Sequence, residues 1–227
     1  RLLALCLALL GAPLACCGAA TAQGLQLLPF DEAPRDPTLQ AFRDGLLAAV
    51  QRRDLEAVVA AAGPTILLSF GEDSGPETLR LWLSGGGPLE ADYLWGQLEE
   101  VLSHGGGFDQ QGGFGAPYWF AAAPPLPDDT DWHKVLYVIG EKVPLRARAG
   151  TDQPVLGSVS YEVVFADDPQ QLWATDAAGK EWLYVRTVDG RKGWIREDFL
   201  RGPFGYRAGF EQLEGGGWAM TYFLAGD

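Results

Sequence analysis

Cysteine is almost missing from this sequence: there are three, Cys6, Cys16 and Cys17, all near its start. Residues 2–14 are nearly all apolar, follow a single Arg, and lead to Ala20-Thr21-Ala22 ahead of Gln23. That is the layout of a secretory signal peptide over 1–22, and the run is too short to span a bilayer, which needs about 20 apolar residues. The expected location is therefore periplasmic or secreted, with no membrane span after cleavage; lipidation at Cys16 or Cys17 stays open as the alternative. Once the leader is gone, no disulfide framework, thiolate nucleophile or Cys-ligated zinc site is available.

Positive charge is also scarce. Lys and Arg number 17 against 30 Asp and Glu, a net charge of −13. Nucleic acid is excluded as a partner, because binding it depends on cations that displace counterions from phosphates; anionic membrane surfaces are disfavoured for the same reason. Histidine occurs twice. Ser103 and His104 are neighbours at a predicted helix end, whereas a nucleophile and its base must meet in space. The segment Asp128-Asp129-Thr130-Asp131-Trp132-His133 gathers the oxygen ligands of a hard-cation site, but it lacks the spacing and central Gly of a calcium loop, so no metal is expected. The loop from Ser69 to Gly75 lacks the lysine of a phosphate loop, and no cofactor is expected. Glu72-Asp73, Glu99-Glu100 and Asp167-Asp168 are sequence neighbours and do not flank a scissile bond as paired glycosidase carboxyls must. No catalytic residue is assigned.

Apolar and aromatic residues are plentiful, with eight Trp, eleven Phe and seven Tyr, enough for an ordinary hydrophobic core. A Pro-rich linker occupies 23–35. Asp36 and Pro37 form a helix start, with Leu39, Phe42, Leu46, Leu47 and Val50 at helical spacing. Further helices are predicted near 54–62, from Pro76, and over 89–104. A buried strand is predicted at 65–70. Residues 105–134 read as a long loop anchored by Tyr118-Trp119-Phe120, giving a mainly helical region over 36–134. At the C-terminus, alternation on both sides of Glu214 to Gly217 predicts a β-hairpin over 203–227. An isolated hairpin is marginal in water, so it is expected to pack on the N-terminal region.

Residues 137–201 alternate in short strand-length runs. Val143-Pro144-Leu145-Arg146, Val155-Leu156-Gly157-Ser158-Val159, Trp182-Leu183-Tyr184-Val185 and Gly193-Trp194-Ile195 are separated by turn residues, and Asp189-Gly190 is a strong hairpin signal. Taken together these blocks resemble a bacterial SH3 domain of the SH3b family. The resemblance implies a small β-barrel over 135–202. The fold class that follows is α+β, an SH3-like β-barrel inserted between an N-terminal mainly helical region and a C-terminal β-hairpin. Two departures from the family pattern stand out: Ser160-Tyr161 replaces a Gly-centred turn, and 166–181 is a long insertion.

Trp182 and Trp194 are read as core. Tyr161, Trp173 and Tyr184 are the candidate ligand-binding residues, since an aromatic ring offers a flat apolar face and a polar tip. The resemblance implies an exported, non-enzymatic binding or accessory protein whose partner is a cell-wall peptide or a protein's peptide segment. The alternatives are an envelope hydrolase that uses the barrel for targeting, and an acidic protein-interaction or inhibitor protein.

Overall fold

The structure is a computed structural model that describes residues 24–166 and 173–226. The leader expected over 1–22, its three cysteines, and residues 167–172 of the insertion lie outside the described residues. Helix α1 (Pro37–Gln51) begins as its sequence directs. The Asp36 carboxylate accepts the backbone N–H of Thr38 at 2.8 Å and of Leu39 at 3.2 Å, which satisfies donors that the first turn leaves open. Leu39, Leu46, Ala49 and Val50 are buried, whereas Phe42 and Leu47 pack at the margin of the core. Arg43 takes a place on the buried face: its guanidinium reaches Asp31 at 2.9 Å and the Leu102 carbonyl at 3.1 Å, over the Phe114 ring. Helix α2 (Leu55–Ala60) is capped by Asp54.

Strand β1 (Ala62–Leu67) starts earlier than predicted and runs through Gly63 and Pro64. Proline has no N–H to offer a ladder and is confined to edge strands, and β1 is an edge of its sheet. After it come α3 (Pro76–Leu81), which continues into a wider turn over Trp82–Gly86, and α4 (Ala91–Ser103). The stretch expected as a loop holds two strands, β2 (Gly107–Phe108) and β3 (Phe114–Ala116), and the short helix α5 (Tyr118–Ala121). Their tight turn is built by Asp109, whose Oδ1 accepts from the N–H of Gln111 at 2.8 Å and of Gly113 at 2.9 Å, with Gly112 in the left-handed region.

The second sheet comprises β4 (Val135–Val138), β5 (Val143–Arg146), β6 (Val155–Val159), β7 (Val163–Phe165), β8 (Trp173–Thr175), β9 (Glu181–Thr187), β10 (Lys192–Arg196) and β11 (Leu200–Arg201). Its order is β11-β4-β7-β9-β10-β5-β6, with β8 added on β9. Gly190, at φ +89°, closes the β9–β10 hairpin. Among the described residues no pairing joins β6 to β11, so the expected closure into a barrel is not made by hydrogen bonds. Inside this sheet Val138, Val143, Leu145, Val159, Val164, Leu183, Val185, Ile195 and Leu200 form one aliphatic core.

The chain then returns as β12 (Arg207–Gln212) and β13 (Trp218–Leu224). The first sheet runs β1-β13-β12-β3-β2, with β13 parallel to β1 and the other pairs antiparallel. Phe210, Met220 and Phe223 face the same core as Leu39, Leu46, Leu94 and Leu98. A third cluster, Leu27, Tyr118, Trp119, Val135, Tyr137 and Val163, packs α5 against the second sheet. Residues 24–27, in the stretch expected as a linker, bond to the second sheet through Val163 N–H to Leu25 O at 2.8 Å and Leu27 N–H to Tyr161 O at 2.7 Å. The Arg201 guanidinium also donates to Glu100 of α4. The fold is thus α+β. Among the described residues no helix is long and apolar enough to cross a membrane.

Candidate functional site

Side chains alternate faces along a strand. With Val143 and Leu145 in the aliphatic core, Pro144 and Arg146 turn to the opposite face of β5. By the same rule Leu183 and Val185 turn Trp182 and Tyr184 outward on β9, and Ile195 turns Trp194 and Arg196 outward on β10. Register aligns these outward residues: Arg146 lies opposite Trp194, Trp194 opposite Tyr184, and Arg196 opposite Trp182. Directly paired residues share a face. Pro144, Arg196 and Trp182 therefore form one row across three strands, and Arg146, Trp194 and Tyr184 form the next.

A groove of about 210 Å³ runs along the first row. Val143, Pro144, Trp182 and Phe199 give it apolar walls, Thr151 of the β5–β6 loop closes one end, and Arg146 and Arg196 supply two guanidinium groups. The Trp182 ring is 2% exposed, and its indole N–H donates to Asp176 Oδ2 at 2.9 Å. Asp176 is held below its ordinary carboxylate value first by the Lys180 backbone N–H and then by that indole, against a desolvation cost that exceeds the further help of the Ala178 N–H. Arg196 lies 5.0 Å from the centre of the Phe199 ring. Its Nε is 2.8 Å from Asp198 Oδ2, but not along the N–H direction, so this buried N–H lacks a well-aimed acceptor. Arg146 donates from Nη1 to the Gln153 carbonyl at 2.6 Å, one of the five N–H donors that an arginine carries. An apolar slot rimmed by two planar guanidiniums matches a carboxylate attached to a short apolar or amide-bearing chain.

The residues singled out in the sequence fall in three surroundings. Tyr184 lies on the groove's face, one row away, against Trp194 with ring centres 5.6 Å apart. Trp173 pairs with Leu183 and therefore sits on the other side of the sheet, 58% exposed. Tyr161, at φ +52°, lines a separate cleft with the end of α4 and Tyr118. Trp182 is buried as expected, though as the floor of the groove and not in the aliphatic core; Trp194, expected as core, is half-buried on the outer face, because Ile195 takes the inward position. Pro144, Arg146, Arg196 and Phe199 escaped the sequence reading. The signal that finds them is strand alternation, once Val143, Leu145 and Ile195 are assigned inward.

Other polar clusters are engaged elsewhere. Ser103 Oγ donates to the Glu99 carbonyl at 2.7 Å and His104 Nδ1 meets the Glu100 carbonyl at 2.8 Å, so each serves the end of α4 and not the other. Asp131 caps the turn at Trp132–Lys134 and pairs with Lys134 at 3.0 Å. Among the described residues no group of three or more His, Cys, Asp or Glu is placed to hold a metal ion. No family model matches the sequence, no curated protein matches it, and no solved structure matches the chain.

Proposed function

We propose that this chain is an exported binding or accessory protein, in which 135–202 act as an SH3b-like module that holds a short carboxylate-bearing peptide of the cell envelope. The observation that carries this reading is the groove: Arg146 and Arg196 over an apolar floor of Trp182, Pro144 and Phe199. In a chain of net charge −13, two guanidiniums in one slot form a local site for an anion, and the surrounding negative field selects for a ligand that is small and presents its carboxylate first. Peptidoglycan stem peptides have that chemistry. The succession of short strands, the Asp189-Gly190 hairpin and the 3₁₀ turn Glu197–Phe199 ahead of β11 favour the SH3b-like assignment.

The test is calorimetric titration with a free stem peptide that carries no sugar, beside the same peptide with its carboxyl groups amidated. A hydrogen bond to a charged group is worth about 1.5–3 kcal/mol, so amidation, or Arg196→Gln, should weaken binding by about tenfold or more. Binding should also fall as salt is raised. Equal affinity for the acid and the amide, or no binding of either, would remove the proposal.

A further inference from the structure

A second cleft, of about 500 Å³, lies where residues 29–31, the end of α4, Tyr118 of α5, Ile139 and Tyr161 meet. It shares no residue with the groove. Besides the Ser103 hydroxyl, which donates to the Glu99 carbonyl, its polar side chains are of three kinds. The His104 Nδ1 faces the Glu100 carbonyl at 2.8 Å and must therefore carry a proton there, which leaves Nε2 as the ring nitrogen not engaged by that bond. The Asp31 carboxylate is the second, an acceptor, and its charge is offset by Arg43 at 2.9 Å. Phenols are the third kind. Tyr118 is 2% exposed, and its hydroxyl is buried without a hydrogen-bond partner. Burial pushes that phenol up to about 12, with a smaller contribution from the neighbouring Tyr161 phenol, so it is a neutral O–H. Buried hydroxyls are rarely left without a partner, and one left so beside a cleft is a group waiting for a ligand. Tyr161, whose phenol neighbours that of Tyr118, is a bulky side chain held in the left-handed region, a strained setting that collects at functional sites. Phe30 and Ile139 complete the wall with apolar surface.

This set discriminates between ligand classes. An ammonium group can donate to Asp31 but cannot accept from a phenol. An anion can accept from the phenols but meets the Asp31 carboxylate. A hydroxyl or a neutral amide does both, and a ring that bears several hydroxyls adds apolar C–H faces to lie against Phe30. We infer that the cleft is a binding site for an uncharged, hydroxyl-rich ring, a neutral saccharide, held by His104, Asp31, Tyr118 and Tyr161. The site does not depend on the groove, and either can fail without the other.

The experiment is saturation-transfer NMR on the full chain with chitotriose and cellotriose as neutral probes, triglycine amide as the ammonium probe and citrate as the anionic one. Transfer to at least one of the two saccharides is expected, with none to the charged probes. Tyr118→Phe removes a hydroxyl that has no partner in the free protein, so folding persists while saccharide affinity drops by about tenfold or more. His104→Asn keeps an amide N–H for the Glu100 carbonyl but has no Nε2, and should weaken binding to a similar degree. The inference is overturned if neither saccharide binds, if a charged probe binds in their place, or if saccharide affinity is unchanged in His104→Asn or in a folded Tyr118→Phe protein.

Discussion

Ending the chain after Gly202 should unfold the helices at its other end. The segment removed carries β12 and β13, and β13 is the strand that joins β1 to β12 in the first sheet. With it go five large side chains that are 8% exposed or less: Phe210, Trp218, Met220, Phe223 and Leu224. Each buried side chain of this kind is worth about 1.5–3 kcal/mol, so the loss is roughly 7–15 kcal/mol. That equals the whole stability of an ordinary domain, about 5–15 kcal/mol. The apolar stripe of α1 and the inner face of α4 would be left without the surface they pack on. Far-ultraviolet circular dichroism and thermal melting should show loss of most of the helical signal and of its cooperative transition. As a control, Phe210→Ala, with ring contacts to Phe42 and Phe114 at 6.1 and 6.3 Å, should cost about 3–5 kcal/mol and keep the transition cooperative. A truncated chain that retains its helical signal and a sharp melt would refute the reasoning, because the N-terminal region would then hold a sufficient core of its own.

The outward face of the second sheet can be tested by a pair of substitutions: Trp182→Ala should cost about 3–5 kcal/mol, whereas Trp194→Ala should cost less, since its ring is only partly buried and loses part of that burial plus about 0.5–1.5 kcal/mol for its aromatic contact with Tyr184; similar losses in urea unfolding would contradict the facing described. Acid titration checks the floor of the groove. Asp176 binds its proton less readily in the folded chain than its ordinary value of 3.8 implies, so the unfolded state takes up protons first. The stabilisation is present above that value and is lost as pH falls through the depressed one. Asp176→Asn should flatten this part of the acid limb, and an unchanged pH profile would mean that the bonds from Lys180, Trp182 and Ala178 do not hold the carboxylate. Glu162 works in the opposite sense, since burial raises it despite Arg191 at 2.6 Å, and its contribution declines as pH rises through the raised value.

Signals confined to a few adjacent residues were the ones legible in the sequence. Asp36-Pro37 opens α1, Asp189-Gly190 closes the β9–β10 hairpin, and alternation about Glu214 to Gly217 gives β12 and β13, because a cap or a turn is specified by its own residues. Strands β2 and β3 were not legible. They are two and three residues long, carry glycine where a strand usually carries a branched side chain, and exist because β12 supplies hydrogen bonds to one side of β3. Strand β1 crosses Gly63-Pro64, a pair that reads as a stop, and only its place at the sheet edge makes that tolerable. The groove was half legible. Trp182 announced itself as a buried aromatic residue, but Arg146 and Arg196 come together through the register of three strands, which no local pattern states. Tyr161 drew notice as a departure from a turn, and its backbone does adopt the left-handed conformation that such a turn requires; the cleft it lines depends on Tyr118 and His104, distant in sequence.

The most direct measurement of the central claim is an amide and indole chemical-shift map of the full chain during titration with a sugar-free stem peptide. The Trp182 indole signal and the amides of 143–151 and 196–199 should move together and saturate, while those of Trp173 and of the cleft around Tyr161 stay still. Shifts centred on Trp173 or Tyr161, or no shifts at all, would contradict that claim.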